Sequence, residues 1–225
     1  MRQVFYLHGF ASSARSSKAA FFGGRLASYG IPLHAPDFNE PDFSTLTITR
    51  MIRLVCAEVD ARPGEQIALI GSSLGAFVAV QSALLRPAQV SRLILLAPAL
   101  DFGGNRMRSL GDRGLQEWQR SGRLDVFHYG YGRVMPVHYE LYADARRYDA
   151  MTAQLPMPVQ VFQGRHDAAV DAGTVEQWSR ARPESVELHL LDDDHQLLSS
   201  LDYIWAEMSR FLGLDGQVER YQQIP

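Results

Sequence analysis

Two kinds of hydrophobic pattern alternate along the chain. Short, largely apolar runs at 3–7, 31–35, 66–70, 93–98, 159–162 and 186–191 have the length of buried strands. Between them, apolar residues recur every three or four positions over 17–29, 45–59, 74–85, 173–181 and 197–212, the spacing of helices that bury one face. Leu46, Met51, Ile52, Val55 and Val59 mark that face in the second helix, and Ile204, Trp205, Met208 and Leu212 mark it in the last. Gly30, Pro36-Asp37, Pro63-Gly64 and Arg86-Pro87 fall at the joins, where turns and helix ends need them. Unbroken apolar strands separated by helices predict an α/β fold whose largely parallel sheet is covered on both faces.

The alternation stops at Asp101 and resumes near Val159. From 101 to 150 the chain is rich in Gly, Arg and Tyr, with helical patches at 115–120 and 139–148. Such a stretch is too long for an ordinary connection and predicts a cap or lid inserted above the sheet, within one domain spanning 1–225. Gly103-Gly104 and five further glycines punctuate it, and the last dozen residues of the chain are polar and expected to be loosely held.

Composition narrows the function. The chain has 225 residues, 46% of them hydrophobic, enough for a sizeable core. Net charge is −3 and acidic and basic residues are mixed, so the basic stripe needed for nucleic acid is missing. Lys18 is the one lysine; arginine carries the rest of the positive charge. Cys56, the one cysteine, has no partner for a disulfide and reads as a small buried side chain. The chain opens directly on a strand without a signal-peptide pattern, and no run is long enough to span a membrane, so a cytoplasmic protein is expected.

Candidate chemistry sits at Gly71-Ser72-Ser73-Leu74-Gly75, between an apolar strand and an apolar helix. Gly-x-Ser-x-Gly in that setting is a nucleophile elbow, in which the serine rides on a sharp corner with its hydroxyl above the sheet. A serine needs a base, and the base an orienting acid. Asp167 follows the strand at 159–162 and His195 follows the strand at 186–191, so a parallel sheet would bring both to the edge that carries Ser73. The backbone N–H groups of Phe10, after His8-Gly9, and of Leu74 are candidate oxyanion donors.

Other residues compete for these roles. Ser72 neighbours the elbow, Asp101 also follows a strand, and His8 lies beside the oxyanion loop, where bracing the loop is the expectation. Asp192-Asp193-Asp194 reads as a solvated loop; no second histidine is spaced to complete a zinc site, and the chemistry calls for no cofactor. His166 and His189 read as structural, His34, His128 and His138 show no convincing partner in the sequence, and Trp118, Tyr129, Tyr131, Tyr139 and Tyr142 suit either an acyl pocket or packing within the cap.

Together, His8-Gly9-Phe10, the elbow, Gly164-Arg165-His166-Asp167 and Asp194-His195 resemble the α/β-hydrolase superfamily over nearly the whole chain. The opening Tyr6-Leu7-His8-Gly9-Phe10-Ala11-Ser12-Ser13, with Ser16 and Lys18 behind it, resembles more narrowly the small YqiA-like bacterial esterases. The resemblance implies an α/β-hydrolase fold of about six mostly parallel strands lacking the first hairpin, helices on both faces, and a small cap insertion. It also implies a Ser73–His195–Asp167 triad acting on carboxylic esters or thioesters of short to medium acyl length. One departure is Ser72, where many relatives carry histidine. A thioesterase, a peptidase and a non-catalytic binding module on the same fold are the competing expectations; oligomeric state is left open.

Overall fold

The computed structural model describes residues 2–102 and 110–214. In chain order its strands are β1 (Arg2–Leu7), β2 (Leu33–His34), β3 (Gln66–Ser72), β4 (Val90–Leu96), β5 (Arg123–His128), β6 (Arg133–His138), β7 (Val159–Gly164) and β8 (Val186–Leu191). Its helices are α1 (Ser17–Ala27), α2 (Ile48–Asp60), α3 (Leu74–Leu85), α4 (Gly111–Ser121), α5 (Glu140–Ala145), α6 (Ala172–Arg180) and α7 (Leu201–Phe211). Six strands form one sheet in the order β2-β1-β3-β4-β7-β8, parallel at every pairing. The chain runs outward from β1 to β2 and then crosses back to β3, so the direction of winding reverses between β1 and β3. Such a reversal opens a crevice at the carboxyl ends of the strands.

Strand parity divides the core. Odd-numbered positions such as Leu7, Leu69, Leu95 and Val161 pack with α2, α3 and α6. Even-numbered ones such as Tyr6, Ile70, Leu96 and Phe162 pack with α1 and α7. Each such side chain buried contributes about 1.5–3 kcal/mol. Helix α3 is buried on nearly all sides, which is why its sequence shows no polar stripe.

Three elements depart from the apolar pattern for identifiable reasons. β2 pairs only through Leu33 and His34, because Pro32 and Pro36 on either side have no N–H to add to the ladder. α2 begins three residues later than its pattern, after a short 3-10 turn, with Thr47 as N-cap accepting from Arg50 N. α7 begins at Leu201 rather than at Leu197, whose φ of +55° excludes it from a helix interior.

Between β4 and β7 the two helical patches appear as α4 and α5, and β5 and β6 form an antiparallel hairpin that the sequence reading missed. Pro136 lies inside β6, where it is tolerated because a two-stranded ribbon is all edge. Trp118 of α4 is buried, donates Nε1–H to Val137 O (3.0 Å), and packs against Tyr139 and Tyr142. Asp144 of α5 accepts from the backbone N–H and the hydroxyl of Thr49 at the start of α2 (2.6 and 2.7 Å). The hairpin tip is held by Gly130 N–H donating to Ala11 O (3.4 Å) and by His128 Nε2 against Asn39 Oδ1 (3.1 Å). Gly103-Gly104 and the polar C-terminal stretch lie outside the described residues.

The sheet tolerates substitution unevenly. A Cβ at Gly75 would lie 2.0 Å from Leu7 O, whereas one at Gly24, on the exposed side of α1, meets nothing within 4 Å. Gly75→Ala is expected to lose about 4 kcal/mol or more, or to fail to fold, and Gly24→Ala to gain up to about 1 kcal/mol from helix propensity. Urea unfolding midpoints of the two variants against the native chain check both.

Candidate active site

β3 ends at Ser72 and α3 begins at Leu74, leaving Ser73 alone to make the corner at φ 53°, ψ −114°. A non-glycine residue there costs on the order of 1–3 kcal/mol. The corner is held by Ser73 N–H donating to Leu96 O (2.9 Å), and by Ser73 O accepting from Ala76 N (3.0 Å) and Ala99 N (3.2 Å). Gly71 and Gly75 make the turn possible: a Cβ at Gly71 would lie 2.5 Å from Ala76 Cα, and the Gly75 clash with β1 is closer still. All four non-glycine residues with positive φ among the described residues, Ala11, Ser73, Ala97 and Leu197, lie just past strand ends at this edge of the sheet.

His195 and Asp167 arrive from the loops after β8 and β7. Asp167 Oδ2 can only accept, so His195 Nδ1 carries the proton and donates to it at 2.8 Å. Nε2 is then an acceptor, 3.1 Å from Ser73 Oγ. Asp167 is fixed on all sides. Its Oδ1 accepts from Ala169 N and Val170 N (both 2.8 Å), and its Oδ2 also accepts from Gln163 Nε2 (3.0 Å). The Asp167 side chain is fully buried, while His195 remains about one-fifth exposed. Burial alone would raise the Asp167 pKa, but the His195 hydrogen bond and charge and the donors from Val170 and Gln163 outweigh it, and the net shift is downward.

The loop at Gly9-Phe10 lies against the elbow, with an added Gly9 Cβ only 3.3 Å from Ser73 Cβ. Phe10 N and Leu74 N donate to no acceptor among the described residues, and α3 has no side-chain N-cap, so the first N–H of the helix is left open beside that of Phe10. His8 is occupied at both ring nitrogens. Nδ1–H donates to Gly9 O (2.9 Å), and Nε2 accepts from Phe38 N (3.0 Å), with Asp37 Oδ1 at 3.2 Å. It braces the loop, as the sequence reading expected.

The competing candidates fall elsewhere. Ser72 lies beside the Tyr6 hydroxyl, below the elbow. Asp101 makes no bond to His195. Asp192 is exposed and pairs with His166 (2.7 Å), while Asp193 is buried. His128 stacks on Tyr131, and His34 stacks on Phe5 and reaches Gln3. His138 accepts from Glu140 N. Among the described residues, one group could hold a metal by ligand spacing: Glu187, His189 and Glu207. Gln160, Tyr203 and Arg210 already engage these side chains.

Lys18 is the residue whose position the sequence reading overlooked. It is 7% exposed, and Nζ donates to Gln196 O at 2.6 Å, directly behind His195. Burial lowers its pKa to about 8, against the opposing pull of Asp194, Asp193 and Asp167. A lone lysine in the first turn of a helix, in a chain that otherwise uses arginine, was the available signal.

Sheet order, elbow and loop placement define an α/β-hydrolase fold. Solved structures that share it include the following two. Alpha/beta hydrolase domain-containing protein 10 from mouse aligns with a TM-score of 0.79 at 19% identity, over 94% of this chain and 89% of that one. Est1E from Butyrivibrio proteoclasticus, solved with ferulic acid bound, aligns with a TM-score of 0.79 at 17% identity, over 97% and 90%. The chain belongs to Uncharacterised protein family UPF0227, whose model matches residues 3–212. Lipase LipV of Mycobacterium tuberculosis is 34% identical over 86 residues, 36% of this chain; the match spans about a third of that lipase's length. No described helix is long and apolar enough to cross a membrane.

The downward shift of Asp167 has a sign for stability. Its ordinary value is 3.8 and the folded value is lower, so its stabilising contribution is present above the ordinary value and is lost as pH falls through the folded one. Asp167→Asn should therefore be less stable than the native chain near neutral pH, with the gap closing below about pH 4. Denaturant titrations between pH 2.5 and 7 measure it.

Proposed function

We propose that the chain is a serine hydrolase that cleaves carboxylic esters of short to medium acyl chain through an acyl-enzyme. The observation that carries this reading is the unbroken hydrogen-bond relay from Asp167 through His195 to Ser73, at 2.8 and 3.1 Å. His195 takes the Ser73 proton as Oγ attacks the ester carbonyl, while Asp167 holds the imidazole in the tautomer with the proton on Nδ1 and stabilises the cation that forms. The N–H groups of Phe10 and Leu74 receive the oxyanion, each such donor being worth about 3 kcal/mol in the transition state. His195 then protonates the leaving alcohol. Water, deprotonated by the same nitrogen, attacks the acyl-enzyme carbonyl; collapse of the tetrahedral intermediate returns the proton to Ser73 and frees the acid.

This sequence of proton transfers uses side chains and backbone alone. Residues 101–150 act in it as a cap whose inner surface selects the acyl group, and residues 1–225 act as one domain. The partial match to a lipase agrees with an ester substrate, without fixing its length. A thioester would react by the same steps with a thiol leaving group, and a panel of p-nitrophenyl esters and acyl thioesters of matched chain length separates the two.

The native chain is expected to turn over p-nitrophenyl butyrate and to gain one fluorophosphonate adduct by intact mass, and Ser73→Ala to do neither. Asp167→Asn should keep the fold and lose about ten-thousandfold in kcat, because the imidazole is then held in the wrong tautomer. A folded native chain that forms no adduct and turns over no ester would overturn the reading in favour of a binding module.

A further inference from the structure

Lys18 occupies an expensive position. An ammonium at 7% exposure in the first turn of α1 is costly unless its surroundings compensate it, and a lysine there would ordinarily extend into solvent. Its Nζ instead points inward and donates to Gln196 O at 2.6 Å, the carbonyl of the residue after His195. The charged groups facing it are Asp193 and Asp194 from the loop after β8 and Asp167 from the loop after β7. Arg25, the basic residue in the last turn of the same helix, pairs with Asp202. Asp193 is buried too. Its Oδ1 accepts from Asp194 N (2.8 Å), and its Oδ2 has no hydrogen-bond partner among the described residues, so part of its charge is left to electrostatic compensation.

The loop carrying His195 is gripped from two sides. Toward β7, His166 N donates to Asp193 O (3.1 Å), and the backbones approach so closely that a Cβ on Gly164 would lie 2.4 Å from Asp193 O. Toward α1, the grip is Lys18 on Gln196 O. Beyond it the chain leaves through Leu197 at φ +55°. His195 sits between these fixed points with Nε2 3.1 Å from Ser73 Oγ, and a displacement of about 1 Å at such a pair costs about a hundredfold in rate.

We propose that Lys18 is a positioning residue for His195: its ammonium clamps the His195 loop to α1 and offsets the carboxylates of Asp193, Asp194 and Asp167, and losing the charge slackens the Ser73–His195 pair. The proposal rests on the hydrolase reading of Ser73. A neutral amine retains an N–H for Gln196 O but not the charge assistance or the compensation of the carboxylates. Burial, which pulls the Lys18 pKa to about 8, brings this loss within reach of mildly alkaline solution. The linkage sign gives the clamp a signature. Between about 8 and the ordinary 10.5 the unfolded chain binds this proton more tightly than the folded one, so the Lys18 contribution to stability rises with pH while activity falls.

The test compares the native chain with Lys18→Arg and Lys18→Met. It follows kcat and KM for p-nitrophenyl butyrate from pH 6.5 to 10, Tm at each pH, and the 1H–15N resonances of the His195 imidazole. For the native chain, kcat is expected to fall about tenfold with a midpoint near 8, with KM steady and no loss of Tm over that interval. Lys18→Arg, which keeps its charge, should hold kcat level across the range. Lys18→Met should start about tenfold lower and show no alkaline limb. A native alkaline limb that persists in Lys18→Arg, or a Lys18→Met variant with native kcat, overturns the clamp. The imidazole resonances separate this from the parent reading. If Ser73 proves unreactive but the His195 signals move with a midpoint near 8 in the native chain and stay still in Lys18→Arg, the clamp stands and the hydrolase reading falls. If Lys18→Met does not fold, the native chain and Lys18→Arg decide on the same readouts.

Discussion

The carboxyl edge of the sheet depends on one close approach, that of the first turn of α3 against the end of β1, where a Cβ at Gly75 would sit 2.0 Å from Leu7 O. Because no side chain keeps helix and strand apart, β3 can become α3 through a single corner residue. That residue is forced out of the sheet plane with its hydroxyl forward and the free N–H groups of the helix behind it. The same approach sets the loop after β1 beside the corner. The position of the Ser73 hydroxyl, the open N–H groups beside it and the crevice are consequences of one steric permission.

The costs gather at this edge and the gains lie beneath it. Four strained backbones and a fully buried Asp167 occupy the loops above the strands, with a buried Lys18 reaching them from α1, whereas the strands themselves are packed on both faces by odd- and even-numbered side chains. Strain of a few kcal/mol persists only where the surroundings over-determine it. Here the corner's own N–H and C=O are tied to β4 and the turn after it, so Ser73 cannot relax without breaking sheet hydrogen bonds.

What could be read from the sequence follows from how local each signal is. The sheet was legible because buried parallel strands are unbroken apolar runs, and the Ser73, Asp167 and His195 positions were legible because each lies a fixed short distance past such a run. The length of β2 depended on which N–H groups two prolines remove, and the start of α7 on the backbone angle of Leu197; neither leaves a mark in hydrophobic periodicity. The β5–β6 hairpin alternates only on its inner side, and Pro136 masks even that. Lys18 was hidden for a different reason: a charged residue in a helix reads as solvated until the tertiary structure brings another loop over it.

The near-absence of lysine also fixes how the molecule's charge behaves. Arginine keeps its proton at any workable pH, so the 21 arginines form a constant background. Once the histidines are neutral, the one remaining basic side chain free to change state in alkaline solution lies behind His195. The chain's one lysine therefore speaks to the interior of the molecule rather than to its surroundings.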